Sequence, residues 1–142
     1  MSRKQAREDC FKMLFEAKIM GTPADELLEK FRETVGDGDT WEQEKETERD
    51  TRYMSAILHG VEEKEGELNE KITPFLKRWT IDRLAKVDLS LLHLAAYEAL
   101  YMEDVPAGVA VNEAVELAKK YGGDDAPSFI NGVMRSMIKE NG

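Results

Sequence analysis

The residues of this sequence that could do catalytic chemistry are few, and their spacing does not suit it. His59 and His93 fall on different predicted helices, and neither has a second metal ligand one helical turn away, so they do not predict a zinc site. Cys10 is the only cysteine and lies on an apolar helix face, which indicates a buried small side chain rather than a reactive thiol. The stretches GDGD and YGGDD lack the lysine and the spacing of a phosphate-binding loop. We therefore expect no enzymatic activity, no metal and no cofactor.

Charge and aromatic surface, by contrast, are combined on one face of the first predicted helix. Basic and aromatic side chains recur there at helical spacing, in the order Arg3 or Lys4, Arg7, Phe11, Phe15 and Lys18. The opposite stripe of the same helix is apolar and includes Cys10. This helix is therefore predicted to bury its apolar face in the core, while its other face combines basic and aromatic side chains, which is unusual for an ordinary protein surface.

Helices are the elements that must position these residues. Ser2 with Gln5 forms a capping-box pattern at the start of the first helix, and Gly21 marks its end. Gly66 is expected to interrupt the apolar run that begins at Met54, and Pro74 to produce a kink or a fresh first turn in the run that follows. Seven helical runs are predicted, at about residues 2–20, 23–35, 54–65, 68–79, 87–101, 107–121 and 125–138. No stretch alternates like a strand, so the predicted fold class is all-α.

The run at 87–101, VDLSLLHLAAYEALY, is the one around which we expect the other helices to pack. It is apolar on nearly all sides, with a narrow polar stripe formed by Ser90, His93 and Tyr97, and such a helix is normally buried. Asp88 is placed as its N-cap. His93 is expected at the edge of the core with one hydrogen bond, and His59 at the surface or the core boundary.

Length and charge restrict the class of protein. A chain of 142 residues with 42% hydrophobic residues predicts one globular domain. The net charge of −9 argues against indiscriminate nucleic-acid binding but allows a local basic patch. Without a signal peptide or an apolar run long enough to span a bilayer, a cytoplasmic protein without membrane contact is expected. The acidic segment 33–50 is interpreted as a solvated loop or frayed helix start, with partner binding as the alternative.

Three stretches resemble the NusB family of bacterial transcription antitermination factors. They are SRKQAREDCFKMLFE at 2–16, RLAKVDLSLLHLAAYEALY at 83–101 and VPAGVAVNEAVELAKKYGGDDAPSFINGVM at 105–134. The third is the most specific, because the order of its Asn-Glu-Ala, Lys-Lys-Tyr-Gly and Phe-Ile-Asn-Gly elements is hard to obtain by chance. A weaker resemblance is to the similar helical domain that is fused to some ribosomal RNA methyltransferases.

The resemblance implies both a fold and a function. The fold is a single domain, residues 1–142, of two perpendicular three-helix bundles around a long central helix, with an N-terminal half at about 1–80 and a C-terminal half at about 81–142. The function is transcription antitermination as a heterodimer with NusE, a small-subunit ribosomal protein, on the single-stranded boxA element of ribosomal RNA leaders. Other Nus factors and RNA polymerase complete the implied complex.

The resemblance also implies RNA contacts near both ends of the chain. Single-stranded RNA is held by cations on its phosphates and by aromatic faces under unstacked bases, which suits these residue types. The positions that match the family's RNA-binding segments are Arg3, Lys4, Arg7, Phe15, Lys119, Lys120, Asp125, Ser128, Phe129 and Asn131. Structural explanations stay open for each of these residues. Arg3, Lys4 and Arg7 could be ordinary surface charge, and Phe15 and Phe129 could belong to the core. Asp125 could cap a helix, and Asn131 could form a hydrogen bond to a neighbouring helix end.

The resemblance places the NusE surface near the start of the central helix. Asp88 matches an acidic family position there, although capping alone would explain it, and Glu98 is expected on an acidic face that attracts a basic ribosomal protein. The N-terminal basic run holds only three charges, so about three neutralised phosphates predict a salt slope of roughly −2 and weak RNA binding without NusE. Two alternatives remain, a protein-only helical adaptor and a homodimer that hides the RNA surface.

Overall fold

The computed structural model describes the backbone of residues 2–35 and 41–141, and the side chains of residues 2–34 and 51–141. These residues form six α-helices and contain no strand, which confirms the all-α prediction. Two 3₁₀ turns, Thr73–Phe75 and Ile81–Arg83, lie between the third and fourth helices. The helices are α1 Arg3–Met20, α2 Ala24–Val35, α3 Trp41–Ile72, α4 Lys86–Tyr101, α5 Ala107–Tyr121 and α6 Ala126–Asn141.

The ends of α1 are fixed by the residues that the sequence indicates. The Ser2 hydroxyl accepts a hydrogen bond from the backbone N–H of Gln5 at 3.1 Å, which satisfies a donor of the first turn. Gly21 adopts φ 71°, and its N–H donates to the carbonyl oxygen of Ala17 at 2.8 Å. Glycine occupies this left-handed conformation without the steric cost that other residues meet.

The predicted break at Gly66 is wrong, because α3 runs without interruption from Trp41 to Ile72. A glycine in a helix interior costs only about 1 kcal/mol relative to alanine. Burial of Val61 and Leu68 on either side of Gly66 offsets that cost. The described residues therefore hold six helices instead of seven.

The helix predicted to reach Trp79 ends earlier, at Ile72. Pro74 lacks the N–H that a continuing helix needs, and the chain tightens into the 3₁₀ turn Thr73–Phe75. Lys77 then adopts a left-handed φ of 54°. Helix α2 runs to Val35 and α3 begins at Trp41, so the predicted connector 33–50 is shorter than expected; residues 36–40 lie outside the described residues.

The chain forms two compact units, Met1–Glu63 and Lys64–Gly142. In the first unit, α1, α2 and the first part of α3 enclose a small core; its buried side chains include Ala6, Cys10, Leu14, Leu27, Leu28, Met54, Ile57 and Leu58. In the second unit, α4, α5 and α6 pack on one another. Its buried side chains include Leu91, Leu92, Leu94, Val111, Ala118, Ile130, Met134 and Met137. The division of a single domain near residue 80 stays a prediction.

Helix α4 is buried on nearly all sides, as its sequence predicts. Its polar stripe is also buried: the Ser90 hydroxyl donates to the carbonyl oxygen of Lys86 at 2.7 Å, and His93 Nε2 lies 2.6 Å from Asn69 Oδ1. His93 is thus inside the core and not at its edge. The predicted N-cap role of Asp88 is wrong, because the helix begins earlier with Ala85 as N-cap and Asp88 as its third residue.

Candidate nucleic-acid interface

A groove of the second unit lies between the segment 74–79 and one face of α6. Its volume is about 430 Å³. Lys77 and Arg78 are the two charged residues that line it, so its lining is basic although the chain carries a net charge of −9. The full lining consists of Pro74, Phe75, Leu76, Lys77, Arg78, Trp79, Ser128, Phe129, Gly132, Val133 and Ser136.

The wall formed by residues 74–79 is held by its backbone. Leu76 is buried, and its carbonyl oxygen accepts hydrogen bonds from the N–H groups of Arg78 at 2.6 Å and Trp79 at 3.2 Å. Together with the left-handed Lys77, this tight turn exposes three consecutive side chains at 77–79. Trp79 is 54% exposed, which is unusual for a large apolar side chain and leaves an aromatic face open to a ligand.

Helix α6 supplies the other wall and brings several predicted residues to the site. Ser128 and half-buried Phe129 line the groove. Asp125 lies immediately before α6, where its carbonyl oxygen accepts the N–H of Phe129 at 3.0 Å, so it holds the N-cap position that its alternative reading predicts. Asn131 is exposed, and its Oδ1 accepts a hydrogen bond from Arg135 Nε at 3.3 Å.

Lys119 and Lys120 are exposed in the last turn of α5, outside the groove lining. Lys119 Nζ lies 3.1 Å from Glu116 Oε1 one turn earlier, a surface ion pair that contributes little to stability. Lys120 Nζ lies 5.3 Å from the ring centroid of Tyr121. Both cations are accessible to phosphate.

The basic residues of α1 do not all face solvent. Arg3 and Lys4 are exposed, whereas Arg7 is only 5% exposed. The guanidinium carbons of Arg3 and Arg7 lie 4.1 Å and 5.9 Å from the ring centroid of buried Tyr53, in cation–π geometry. The expectation of an exposed Arg7 is therefore wrong: packing on Tyr53 buries it. Phe15 is half-buried on the same helix.

The two acidic residues expected at the NusE surface differ in accessibility. Asp88 is half-buried in the first turn of α4, and this burial raises the pKa of its carboxyl group above the usual range. Glu98 is fully buried, so it does not lie on an exposed acidic face, and we leave it out of the proposed partner surface.

Sequence reasoning assigned only Ser128 and Phe129 of the groove lining to the site, and it missed the charged and aromatic residues Phe75, Lys77, Arg78 and Trp79 and the neighbouring Arg135. Arg78 and Trp79 follow a proline-containing turn, and this juxtaposition of cation and exposed indole is a signal that the sequence does carry. Their proximity to Phe129, by contrast, joins residues far apart in the chain, and periodicity does not report such contacts.

Two other kinds of site are not found in the described part of the chain. None of its helices has the length and hydropathy to cross a bilayer. Over the same residues, no three His, Cys, Asp or Glu side chains come together in a way that could hold a metal ion.

Comparison with known proteins assigns the family. The model of the NusB family matches residues 4–139. Transcription antitermination protein NusB of Clostridium novyi (strain NT) is 41% identical over 139 residues, which covers 98% of this chain and 99% of that protein. The fold and these matches define a transcription antitermination factor that is all-α over the described residues. The chain belongs to the NusB family.

Solved structures agree with this assignment. A structure of NusB from T. maritima has a TM-score of 0.84 and 28% identity, covering 99% of this chain and 92% of that one. A structure of the antitermination factors NusB and NusE in complex with double-stranded RNA has a TM-score of 0.79 and 25% identity, covering 97% of this chain and 96% of the other. The NusB-like fold is therefore confirmed.

Proposed function

We propose that this protein binds boxA-type single-stranded RNA of ribosomal RNA leaders as a heterodimer with NusE, and so acts in antitermination with other Nus factors and RNA polymerase. The observation that carries the RNA-binding part is the basic groove with the exposed Trp79 indole and Phe129. A NusB relative of the same fold has been crystallised with NusE and double-stranded RNA, which supports NusE as the partner. The proposed role is non-enzymatic and cytoplasmic.

The groove offers the two interactions that hold single-stranded RNA. Stacking of a base on an aromatic side chain contributes about 1–3 kcal/mol per base. Trp79 and Phe129 lie in one groove and provide two such faces, while Lys77 and Arg78 on its rim neutralise phosphates. Single-stranded RNA fits better than a duplex, because its bases are free to leave the stack and reach the aromatic faces.

The first unit adds a second set of contacts. Arg3 and Lys4 are exposed and reach phosphates directly. Arg7 acts through its position, because it packs on Tyr53 beside Arg3 and thereby fixes the ring on which Arg3 lies. Phe15 is half-buried and so remains partly accessible to a base. On the second unit, Lys119 and Lys120 extend the basic surface.

NusE is proposed to bind beside the start of α4. The half-buried Asp88 offers a carboxylate whose pKa is already raised by burial, and a basic ribosomal protein would compensate its charge. The net charge of −9 favours encounter with a basic partner over encounter with free RNA. This difference explains why RNA binding is expected to be weak without NusE.

The experiment is fluorescence anisotropy of a labelled boxA RNA with Trp79→Ala, in the presence of NusE. Loss of one stacking face should weaken binding roughly tenfold. Ile19→Ala is the matched control, because Ile19 is 55% exposed and belongs to no proposed contact. If Trp79→Ala binds as tightly as Ile19→Ala, the groove is not the RNA site, whereas failure of the wild-type protein to bind the RNA would favour the protein-only adaptor.

A further inference from the structure

Arg135 on α6 is held in place by two amide side chains. Its Nη2 donates to Asn112 Oδ1 on α5 at 2.8 Å, and its Nε donates to Asn131 Oδ1 at 3.3 Å. All three residues are exposed. An exposed arginine usually samples many rotamers, so bonds to two different helices reduce the entropy that a ligand would otherwise have to remove.

This arrangement is rich in donors and has no negative charge of its own. Both amide oxygens are occupied by the guanidinium, so the amide NH₂ groups remain as donors, together with the rest of the guanidinium. Within the described part of the chain, no carboxylate pairs with Arg135. The cluster is therefore suited to an anion.

The first turn of α5 adds to this positive character. A Cβ atom at Gly108 would lie 4.0 Å from Arg135 Nη1, so the guanidinium lies close to the backbone of that turn. The N-terminal end of a helix carries a partial positive charge and backbone N–H groups without intrahelical partners. A guanidinium and a helix N-terminus at one place favour the same ligand, an anion.

The position of the cluster connects it to the RNA groove. Arg135 is one turn beyond Gly132, and residues three or four apart on a helix are about 5–6 Å apart. Gly132 and Ser136 line the groove, so Arg135 lies on the adjoining edge of α6.

We propose that Arg135, positioned by Asn112 and Asn131, binds a backbone phosphate of the RNA that occupies the groove. The inference rests on the proposed RNA-binding function and adds a specific contact to it. Phosphate contacts fix the register of a strand and do not read its sequence, so Arg135 sets where the strand lies against Trp79 and Phe129. Asn112 is a positioning residue in this scheme.

The test measures the salt dependence of RNA affinity for Arg135→Gln, with boxA RNA and with oligouridine. The variant should lose about tenfold in affinity for both RNAs, and its log–log salt slope should shrink by about 0.7. The matched control is Arg32→Gln, which removes the same charge from an exposed position of α2. Asn112→Ala should lose about threefold while keeping the wild-type slope, because the charge remains but is no longer held.

Each result has a distinct meaning. Equal affinities and slopes for Arg135→Gln and Arg32→Gln, with RNA binding intact, would overturn the phosphate contact alone. A variant that loses NusE binding while its RNA slope is unchanged would make the cluster a protein contact and overturn it as well. Failure of the wild-type protein to bind either RNA would instead overturn the proposed function, and the inference with it.

Discussion

His59 Nε2 lies 2.6 Å from Asp25 Oδ1, and this contact joins α3 to the first turn of α2. On the other side of the ring, Nδ1 lies 3.0 Å from the carbonyl oxygen of Ser55. The Asp25 carboxylate only accepts hydrogen bonds, so Nε2 is the donor in that contact. The Ser55 hydroxyl also lies 3.0 Å from Nδ1, so the role of Nδ1 depends on the tautomer. The hydrogen bond to Asp25 is the main cause that raises the pKa of His59 above its ordinary 6.5, against desolvation.

This pair predicts a small pH dependence of stability. Because the folded-state pKa is raised, its contribution to the free energy of unfolding is complete below the unfolded pKa and is lost as pH rises through the folded pKa. Both side chains are largely exposed, so we expect His59→Gln to cost about 0.5 kcal/mol or less at low pH and less still in alkaline buffer. The measurement is the free energy of unfolding from urea titrations at pH values from below 6.5 upward, with Asp25→Asn as the control. A stability difference that grows with pH would contradict the assignment.

Two glycines predict opposite effects of the same substitution. Gly21 has φ 71° and Gly66 lies inside α3, and neither would place a new Cβ within 4 Å of another atom. Gly21→Ala should therefore lower the free energy of unfolding by about 1 kcal/mol through left-handed strain alone. Gly66→Ala should raise it by about 0.5–1 kcal/mol through better helix propensity. Urea unfolding of the two variants measures both changes. If both substitutions change the free energy of unfolding in the same direction, either Gly21 is not left-handed or Gly66 is not inside a helix.

The core role of α4 predicts a large loss of stability for Leu92→Ala. Leu92 is fully buried, so its truncation leaves a cavity and should cost about 2–5 kcal/mol. Val109→Ala, at a side chain that is 43% exposed, should change stability by less than about 0.5 kcal/mol. Guanidinium unfolding monitored by circular dichroism compares the two variants. Similar losses for both would mean that α4 is not the buried centre of its unit.

Much of the fold can be predicted from the sequence, because its signals are local. The hydroxyl of Ser2 and the conformational freedom of Gly21 act within one helical turn, and the unbroken apolar run of α4 acts within a single helix. All three predictions are confirmed. Gly66 shows the limit of local reasoning. Its intrinsic cost is real, but the burial of neighbouring side chains offsets it, and burial depends on the rest of the unit.

The candidate site is less predictable, because its contacts are long-range. Phe129 and Ser128 are reached through the family resemblance, but nothing near Trp79 in the sequence reports that it lies beside them. For Arg7 and Glu98 the sequence predicts exposure, and the structure shows that both side chains are buried. Charge predicts exposure for both, yet Arg7 packs on Tyr53 and Glu98 is fully buried.

The central claim is that this protein recognises boxA RNA together with NusE. The most direct test is fluorescence anisotropy of a labelled boxA oligonucleotide, titrated with this protein in the presence and absence of NusE, with a scrambled RNA as the control. We predict weak binding by the protein alone, and tighter binding with NusE that is selective for boxA. Absence of binding under both conditions, or equal binding of the scrambled RNA, would contradict the account.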